Sequence, residues 1–96
     1  MSVANLVFEY DPRKAAANLR THGVSFDEAI TSFFDTNAIS EPDPNHSTPG
    51  DERLINIGKS TRNRLLFVVH NEEDGRIRII SARLASPTQR SLYEES

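Results

Sequence analysis

The sequence predicts an α+β domain in which two helices pack on an antiparallel sheet of about four strands and a short C-terminal helix follows. Two helix patterns with their own capping signals occur in the first third of the chain. Three β-prone segments in the second half are separated by turn-like segments that are short enough for hairpins. A chain of 96 residues is expected to form a single domain over residues 1–96.

The first third of the chain predicts a short strand and then the helix pair. Residues 6–10, "LVFEY", are β-prone. Asp11 can cap the first helix and Gly23 fits its end. Ser25 and Glu28 have the spacing of a capping box at the start of the second helix. The apolar residues of that helix recur at helical spacing and predict one buried face: Phe26, Ala29, Ile30 and Phe33.

The remaining strands are predicted after a proline-rich stretch, residues 35–50, in which "NAIS" is a candidate short strand. The antiparallel strand candidates are "ERLINIGK" (52–59), "RLLFVVH" (64–70) and "RIRIISARL" (76–84). The segment 64–70 is apolar on both faces and is therefore expected in the middle of the sheet. Ser86 and Gln89 form a second capping box, which predicts a short helix at the end of the chain.

The composition of the chain argues against several classes of protein, among them secreted, membrane-bound and metal-binding ones. The chain has no cysteine, and its N-terminal segment has neither the long apolar run nor the basic flank of a signal peptide or anchor, so a cytoplasmic protein without membrane contact is expected. The net charge of −3 argues against a general nucleic-acid binder. Residues 51–96 nevertheless carry eight Lys or Arg against seven Asp or Glu, which leaves room for a local basic patch. The histidine spacing matches no metal motif, so neither metal nor cofactor is expected.

Cations stand at the ends of predicted strands. Strict alternation places Arg53 and Lys59 on one face of the 52–59 strand, and it places Arg83 on the face of its strand that carries Ile77 and Ile79 together with Ser81. The simpler interpretation is that charges at strand ends meet water. Convergence of several such cations would instead favour an anion site, because the planar fork of arginine suits phosphate.

The histidines and the last aromatic residue are weaker signals. His22 is explained by the favourable position of a cation at a helix end, and His70 by packing at the end of the central strand. His46 lies in the proline-rich loop, where functional side chains are common but exposed histidines are more often idle. Tyr93 on the last helix fits either base stacking or coverage of the core, and coverage is the simpler reading.

The order and spacing of several segments carry a family resemblance. These segments are "FEYDPRKAAANLRTHGVSFDEA", the "DP-x-H-S" pattern at 43–47, "DERLINIGKS", "RLLFVVH" and "RIRIISAR". Together they resemble the BrnT toxin family. The resemblance implies a RelE-like fold and metal-independent RNA cleavage, in which a 2′-hydroxyl attacks the adjacent phosphate. It also implies a hetero-oligomer with a DNA-binding BrnA-type antitoxin.

The resemblance also implies roles for individual residues. His46, Arg53, Arg78 and Arg83 match the family pattern, and Lys59 and Arg64 stand where basic residues are frequent. The implied catalytic residues are Arg83 and Arg53 for phosphate stabilisation and His46 for acid–base chemistry. Lys59, Arg64 and Arg78 are the implied substrate-binding residues.

The chain departs from the family pattern beside these positions. Thr21 replaces a frequent lysine, and Leu84, Pro87, Thr88 and Gln89 follow Arg83 where the family often has basic residues and a glutamate. Two hypotheses therefore stand. The chain is a ribonuclease toxin, or it is a catalytically weak relative that binds its antitoxin and tunes repression of their operon.

Overall fold

A computed structural model describes residues 6–96, which form a five-stranded mixed sheet with helices on both faces. Residues 1–5, where the segment examined for a signal peptide begins, lie outside the described residues. Within the described part, none of the helices has the length and apolar character needed to cross a membrane. The elements are β1 (Val7–Glu9), α1 (Pro12–His22), α2 (Phe26–Thr31), a 3₁₀ turn (Ser32–Phe34), β2 (Ile39–Pro42), β3 (Leu54–Lys59), β4 (Leu65–Glu73), β5 (Arg76–Leu84) and α3 (Pro87–Glu95).

The strand order is β1-β5-β4-β3-β2, so the predicted central position of β4 is confirmed. The strands β2 to β5 pair antiparallel in sequence order, as predicted. The predicted α+β class is confirmed, and β2 to β5 form the predicted antiparallel sheet of about four strands. The predicted strand β1 adds a fifth that runs parallel to β5, which the sequence did not predict. The two helices that follow β1 carry the chain to the opposite edge of the sheet, so no hairpin fixes the direction of β1.

The predicted helix signals are confirmed, with one exception. Asp11 Oδ1 accepts from the Arg13 N–H at 2.8 Å, and Gly23 ends α1 with φ 70°. Ser25 Oγ caps α2 by accepting from the Glu28 N–H at 3.0 Å. The Glu28 carboxylate does not complete the predicted capping box. It accepts instead from Ser60 Oγ at 2.7 Å and from an arginine that follows β3.

The helix pair covers one face of the sheet and forms the core with it. Val24, Phe26 and Ala29 pack against side chains of β4 and β5, namely Leu66, Val68, Ile77, Ile79 and Ala82. The buried Asn18 of α1 supports the edge of β5 beyond the short β1. Its Nδ2 donates to the Ala82 carbonyl at 2.8 Å, and its Oδ1 accepts from the Ala82 N–H at 3.1 Å. An amide side chain therefore satisfies backbone groups that the sheet leaves unpaired.

A β-bulge in β5 changes which residues share a face. Ser81 pairs with Val69 and Ile79 pairs with His70, so Ile80 is an extra residue without a partner on β4. Beyond the bulge Ala82 is in the helix-covered core, whereas Arg83 pairs with Phe67 on the opposite face. The prediction that Ile77, Ile79, Ser81 and Arg83 share one face was therefore wrong, because strict alternation fails at an extra residue.

Candidate functional site

The sheet face opposite the helix pair carries two adjoining cavities. We call the first the basic cavity; it has a volume of about 330 Å³ and is lined by His46, Arg53, Phe67, Val69, Ile80, Ser81 and Arg83. We call the second the α3 cavity; it has a volume of about 390 Å³ and lies between α3 and the sheet. His46, Phe67 and Arg83 line both cavities and form their common wall.

The α3 cavity has an apolar wall and a polar rim. The apolar residues are Ile39, Ile55, Ile57, Phe67 and Leu92. The polar residues beyond the common wall are Glu41, Asp43, Asn45, Thr88 and Gln89. Cross-strand partners share a face of a sheet, so the pairing of Ile39 with Ile57 explains why β2 and β3 contribute together.

Arg83 is held in place by neutral groups. Its guanidinium carbon lies 4.2 Å from the centroid of the Phe67 ring, a cation–π contact. Its Nη1 donates to Gln89 Oε1 at 3.1 Å and to the Leu84 carbonyl at 3.2 Å. Over residues 6–96 no carboxylate pairs with this guanidinium, and its Nε and Nη2 donate to no protein acceptor. Arg83 therefore presents an uncompensated charge and free donors to the cavities.

The same amide oxygen that holds Arg83 also caps α3. Ser86 Oγ accepts from the Gln89 N–H at 3.2 Å, and Gln89 Oε1 accepts from the Ser86 N–H at 2.9 Å. The predicted capping box at the start of α3 is thus confirmed. The position of the guanidinium consequently depends on the first turn of α3.

His46 is oriented by a buried carboxylate. Its Nδ1 lies 2.7 Å from Asp43 Oδ2, and Asp43 is only 4% exposed, whereas the imidazole side chain is 69% exposed. An ionised carboxylate can only accept, so Nδ1 carries the proton in the neutral ring and Nε2 is left as an acceptor. Asp43 is itself fixed by its N–H, which donates to the Arg53 carbonyl at 2.8 Å. The pair has the geometry of an oriented general base.

Arg53 reaches the basic cavity, but its charge is partly compensated. Its Nη2 lies 3.0 Å from Asp51 Oδ2 and its Nε lies 3.3 Å from Asp51 Oδ1, a two-point ion pair. The hydrogen bond from Arg53 holds the pKa of Asp51 below its ordinary value. Arg53 is therefore a weaker anion-binding group than Arg83.

Arg64 lies away from both cavities. Its guanidinium donates to both carboxylate oxygens of Glu28, with Nε 2.9 Å from Oε2, and to the Gly23 carbonyl at 3.1 Å. The Glu28 side chain is 4% exposed, and the hydrogen bond from Arg64 lowers its pKa. This ion pair joins the start of α2 to the turn between β3 and β4. The predicted substrate-binding role of Arg64 stays a prediction, and the geometry gives this residue a structural role.

Lys59 and Arg78 also lie outside the two cavities. Lys59 lines a separate shallow recess with Asp35, whose Oδ2 accepts from the Lys59 N–H at 2.8 Å. Arg78 lines a recess beside the β4–β5 hairpin, together with Arg76 and Glu9. The structure thus brings together His46, Arg53 and Arg83 and separates the three residues predicted to bind substrate.

The other sequence candidates have structural explanations. Tyr93 donates its O–H to Asp35 Oδ2 at 2.6 Å and so attaches α3 to the loop after α2. His70 is 1% exposed and packs edge-on against Phe33 with ring centroids 4.8 Å apart, and neither ring nitrogen has a hydrogen-bond partner among the described residues. Burial lowers its pKa to about 4, so the ring is neutral near pH 7. Within residues 6–96 no three His, Asp or Glu side chains gather as a candidate metal site.

Sequence reasoning missed two residues of the site, Asp43 and Phe67. The three-residue spacing from Asp43 to His46 was a usable signal, since such a spacing in a turn brings side chains together. Phe67 could be identified only with the strand register, because it lies across from Arg83 on the neighbouring strand.

Comparisons with known proteins agree with this architecture. A sequence profile described as "Ribonuclease toxin, BrnT, of type II toxin-antitoxin system" matches residues 10–89. The crystal structure of the Brucella abortus ribonuclease toxin BrnT superposes with a TM-score of 0.65. The two chains are 21% identical, and the match covers 84% of this chain and 97% of the Brucella chain. No match was found among curated proteins.

Proposed function

The chain belongs to the BrnT family of ribonuclease toxins of type II toxin–antitoxin systems, and we propose that it cleaves RNA at the basic cavity without a metal ion. The observation that carries the proposal is the state of Arg83. Its guanidinium is fixed by Phe67 and Gln89, bears no compensating carboxylate among the described residues, and shares a cavity with His46. A fixed cation without a compensating carboxylate stabilises the negative charge that the phosphoryl oxygens carry in the transition state.

The proposed reaction begins with a phosphodiester in the basic cavity. The free Nε and Nη2 donors of Arg83 bind two non-bridging phosphate oxygens. The Nε2 atom of His46 takes the proton of the ribose 2′-hydroxyl, and Asp43 stabilises the imidazolium that forms. The 2′ oxygen then bonds to phosphorus while the bond from phosphorus to the 5′ oxygen breaks. The 5′ oxygen gains a proton from water, and the products are a 2′,3′-cyclic phosphate and a 5′-hydroxyl.

Arg53 supplies a second cation in this scheme. Its contribution is smaller than that of Arg83, because Asp51 takes up its Nε and one donor of its Nη2. Its remaining donors can still contact the phosphate or a neighbouring one. Among residues 6–96 none with a carboxylate side chain lines the basic cavity, so the local field there favours an anion in spite of the net charge of −3.

We further propose that a BrnA-type antitoxin silences this site and that the architecture is RelE-like, as the family resemblance implies. An antitoxin with acidic side chains could occupy the basic cavity, since the groups that would bind phosphate also bind carboxylates. The toxin would then be released for RNA only when the antitoxin is lost.

The test is RNA cleavage by the purified chain in excess chelator. We expect 2′,3′-cyclic phosphate and 5′-hydroxyl ends, and we expect Arg83→Ala to lower the rate about 100-fold, the usual loss when a transition-state charge loses its fixed donor. Arg90→Ala is the matched control, because Arg90 is exposed on α3 and lines neither cavity. Equal losses in the two variants, or activity that needs an added divalent ion, would contradict the proposal.

A second candidate function rests on a specific observation. Of the cations that line the basic cavity, Arg53 is paired with Asp51, and the positions after Arg83 hold Leu84 and Thr88 rather than basic residues. Such a site fits a weak catalyst whose main role is to bind an antitoxin and tune repression. Expression of the chain alone in bacteria distinguishes the candidates. Growth arrest with loss of intact RNA supports the toxin, and unaffected growth with a stable antitoxin complex supports the binding partner.

A further inference from the structure

We propose that the α3 cavity binds the nucleobase next to the scissile phosphate and that Glu41 selects guanine. The inference rests on the proposed function, because it assumes that the phosphate lies in the basic cavity. It adds a base-binding site and a sequence preference to that function.

The two cavities differ in charge in a way that separates phosphate from base. In the described part of the chain, the walls of the basic cavity hold Arg53, Arg83 and His46 and no carboxylate residue. The described residues that the α3 cavity adds to the shared wall include the carboxylates of Glu41 and Asp43 and no cation. Carboxylates repel phosphate and accept hydrogen bonds from the edges of bases. A nucleotide that spans the common wall therefore places its phosphate on one side and its base on the other.

The walls of the α3 cavity suit a flat aromatic ligand. Ile55 and Ile57 of β3 face Leu92 of α3 across a space of about 390 Å³, within the usual range for small-ligand pockets. Leu92 remains 47% exposed, so an apolar surface there is available to a ligand. A base inserted between α3 and the sheet would bury this surface on one face and the isoleucines on the other. Phe67 lines both cavities, so the two cavities are continuous. The base in the α3 cavity is therefore attached to the phosphate in the basic cavity.

Glu41 is placed to read the edge of that base. It pairs with Ile55 in the register of β2 and β3, so its side chain is on the cavity face of the sheet. It forms neither an ion pair nor a side-chain hydrogen bond with any described residue, whereas Asp43 is committed to His46. Glu41 is thus the carboxylate of this cavity that is available to a ligand.

A carboxylate with two free oxygens discriminates among the four bases. Guanine presents two adjacent donors, N1–H and the N2 amino group, and can form two parallel hydrogen bonds with it. Adenine and cytosine each present one amino donor beside a ring-nitrogen acceptor that repels the second oxygen. Uracil presents one N–H between two carbonyl oxygens. Guanine is therefore the base that Glu41 favours, and the preference should be about tenfold or more.

The test is titration of the full chain with the 3′-monophosphates of guanosine, adenosine, cytidine and uridine, and with inorganic phosphate, by calorimetry. The guanosine nucleotide should bind about tenfold more tightly than the other three. In NMR spectra it should shift the methyl signals of Ile57 and Leu92, which inorganic phosphate should leave in place. Glu41→Gln should remove the guanine preference without weakening the binding of inorganic phosphate, because it removes a negative charge that repels phosphate. Glu52→Gln is the matched control, since Glu52 is exposed, carries the same charge and lines neither cavity.

The outcomes separate this inference from the proposed function. Equal affinity for the four nucleotides in the unaltered protein would overturn the base site, whatever the variants do. Binding of the guanosine nucleotide that depends on Arg83 but shifts no methyl signal of Leu92 would also overturn it, because the base would then lie outside the α3 cavity. Guanine-selective binding without RNA cleavage would support the base site and count against the catalytic proposal alone.

Discussion

The buried His70 makes the free energy of unfolding depend on pH between its ordinary pKa of 6.5 and its lowered pKa of about 4. Burial lowers the pKa of His70 from 6.5 to about 4, because the protonated ring would lose its hydration in the core. The unfolded chain therefore binds one more proton than the folded chain between these two values. The free energy of unfolding must fall as the pH is lowered from 6.5 toward 4.

The size of the effect follows from the pKa difference. A difference of about 2.5 pKa units corresponds to about 3 kcal/mol, and about 2 kcal/mol of this is lost between about pH 7 and about pH 5. Glu72 offers partial compensation, because its Oε2 lies 3.9 Å from His70 Nδ1 and can pair with a protonated ring. The Glu72 side chain is 45% exposed, so water weakens this pairing and the loss is reduced rather than cancelled.

The assay is urea unfolding, followed by circular dichroism, at several pH values between about 7 and 5. The unaltered chain should lose about 2 kcal/mol over this range, and His70→Leu should lose much less. His22→Leu is the control, because His22 is an exposed histidine at the end of α1. Glu28 adds its own loss only at lower pH, since the hydrogen bond from Arg64 lowers its pKa. Parallel pH dependence in the unaltered chain and in His70→Leu would refute the reasoning.

Two further substitutions test the support of Arg83 and the contact between β3 and the turn after α2. Gln89→Ala removes one of the two hydrogen bonds of the α3 capping box and a restraint on Arg83, so we expect a loss of about 1 kcal/mol in urea unfolding and slower RNA cleavage. Unchanged cleavage would show that Arg83 needs no support from Gln89. Gly58→Ala places a Cβ against the backbone oxygen of Ser32, so we expect a loss of about 2 kcal/mol. An alanine variant as stable as the parent would show that the turn after α2 can move.

The elements that the sequence predicted well are those specified by neighbouring residues. Asp11, Gly23 and Ser86 act at helix ends through their own side chain or backbone, so their roles can be read locally. The β4–β5 hairpin closes through Asp74 and Gly75, with φ 52° and 78°, which is the geometry that this residue pair favours in two-residue turns. Capping and turn chemistry do not depend on distant contacts, and this explains the agreement.

The features that the sequence did not predict depend on contacts between distant segments. The parallel pairing of β1 with β5 joins residues about 70 positions apart. The ion pair between Glu28 and Arg64 joins residues 36 positions apart, and it gives Arg64 a structural role that the sequence did not indicate. The family resemblance implied catalytic roles for Arg53, His46 and Arg83. That these residues line one cavity depends on the register of the sheet, which the sequence does not show.

The bulge at Ile80 bears on how residues are equated between this chain and its relatives. A relative whose β5 lacks the extra residue would reach its terminal arginine one position earlier. An alignment without a gap would then match Arg83 to a side chain on the opposite surface of the sheet. The chain is 21% identical to the Brucella toxin, so the neighbouring residues give little guidance on where an alignment gap belongs. Equivalent residues of β5 should therefore be identified by superposing the structures. The number of residues in the strand shows whether the bulge is present, which the residue types alone do not show.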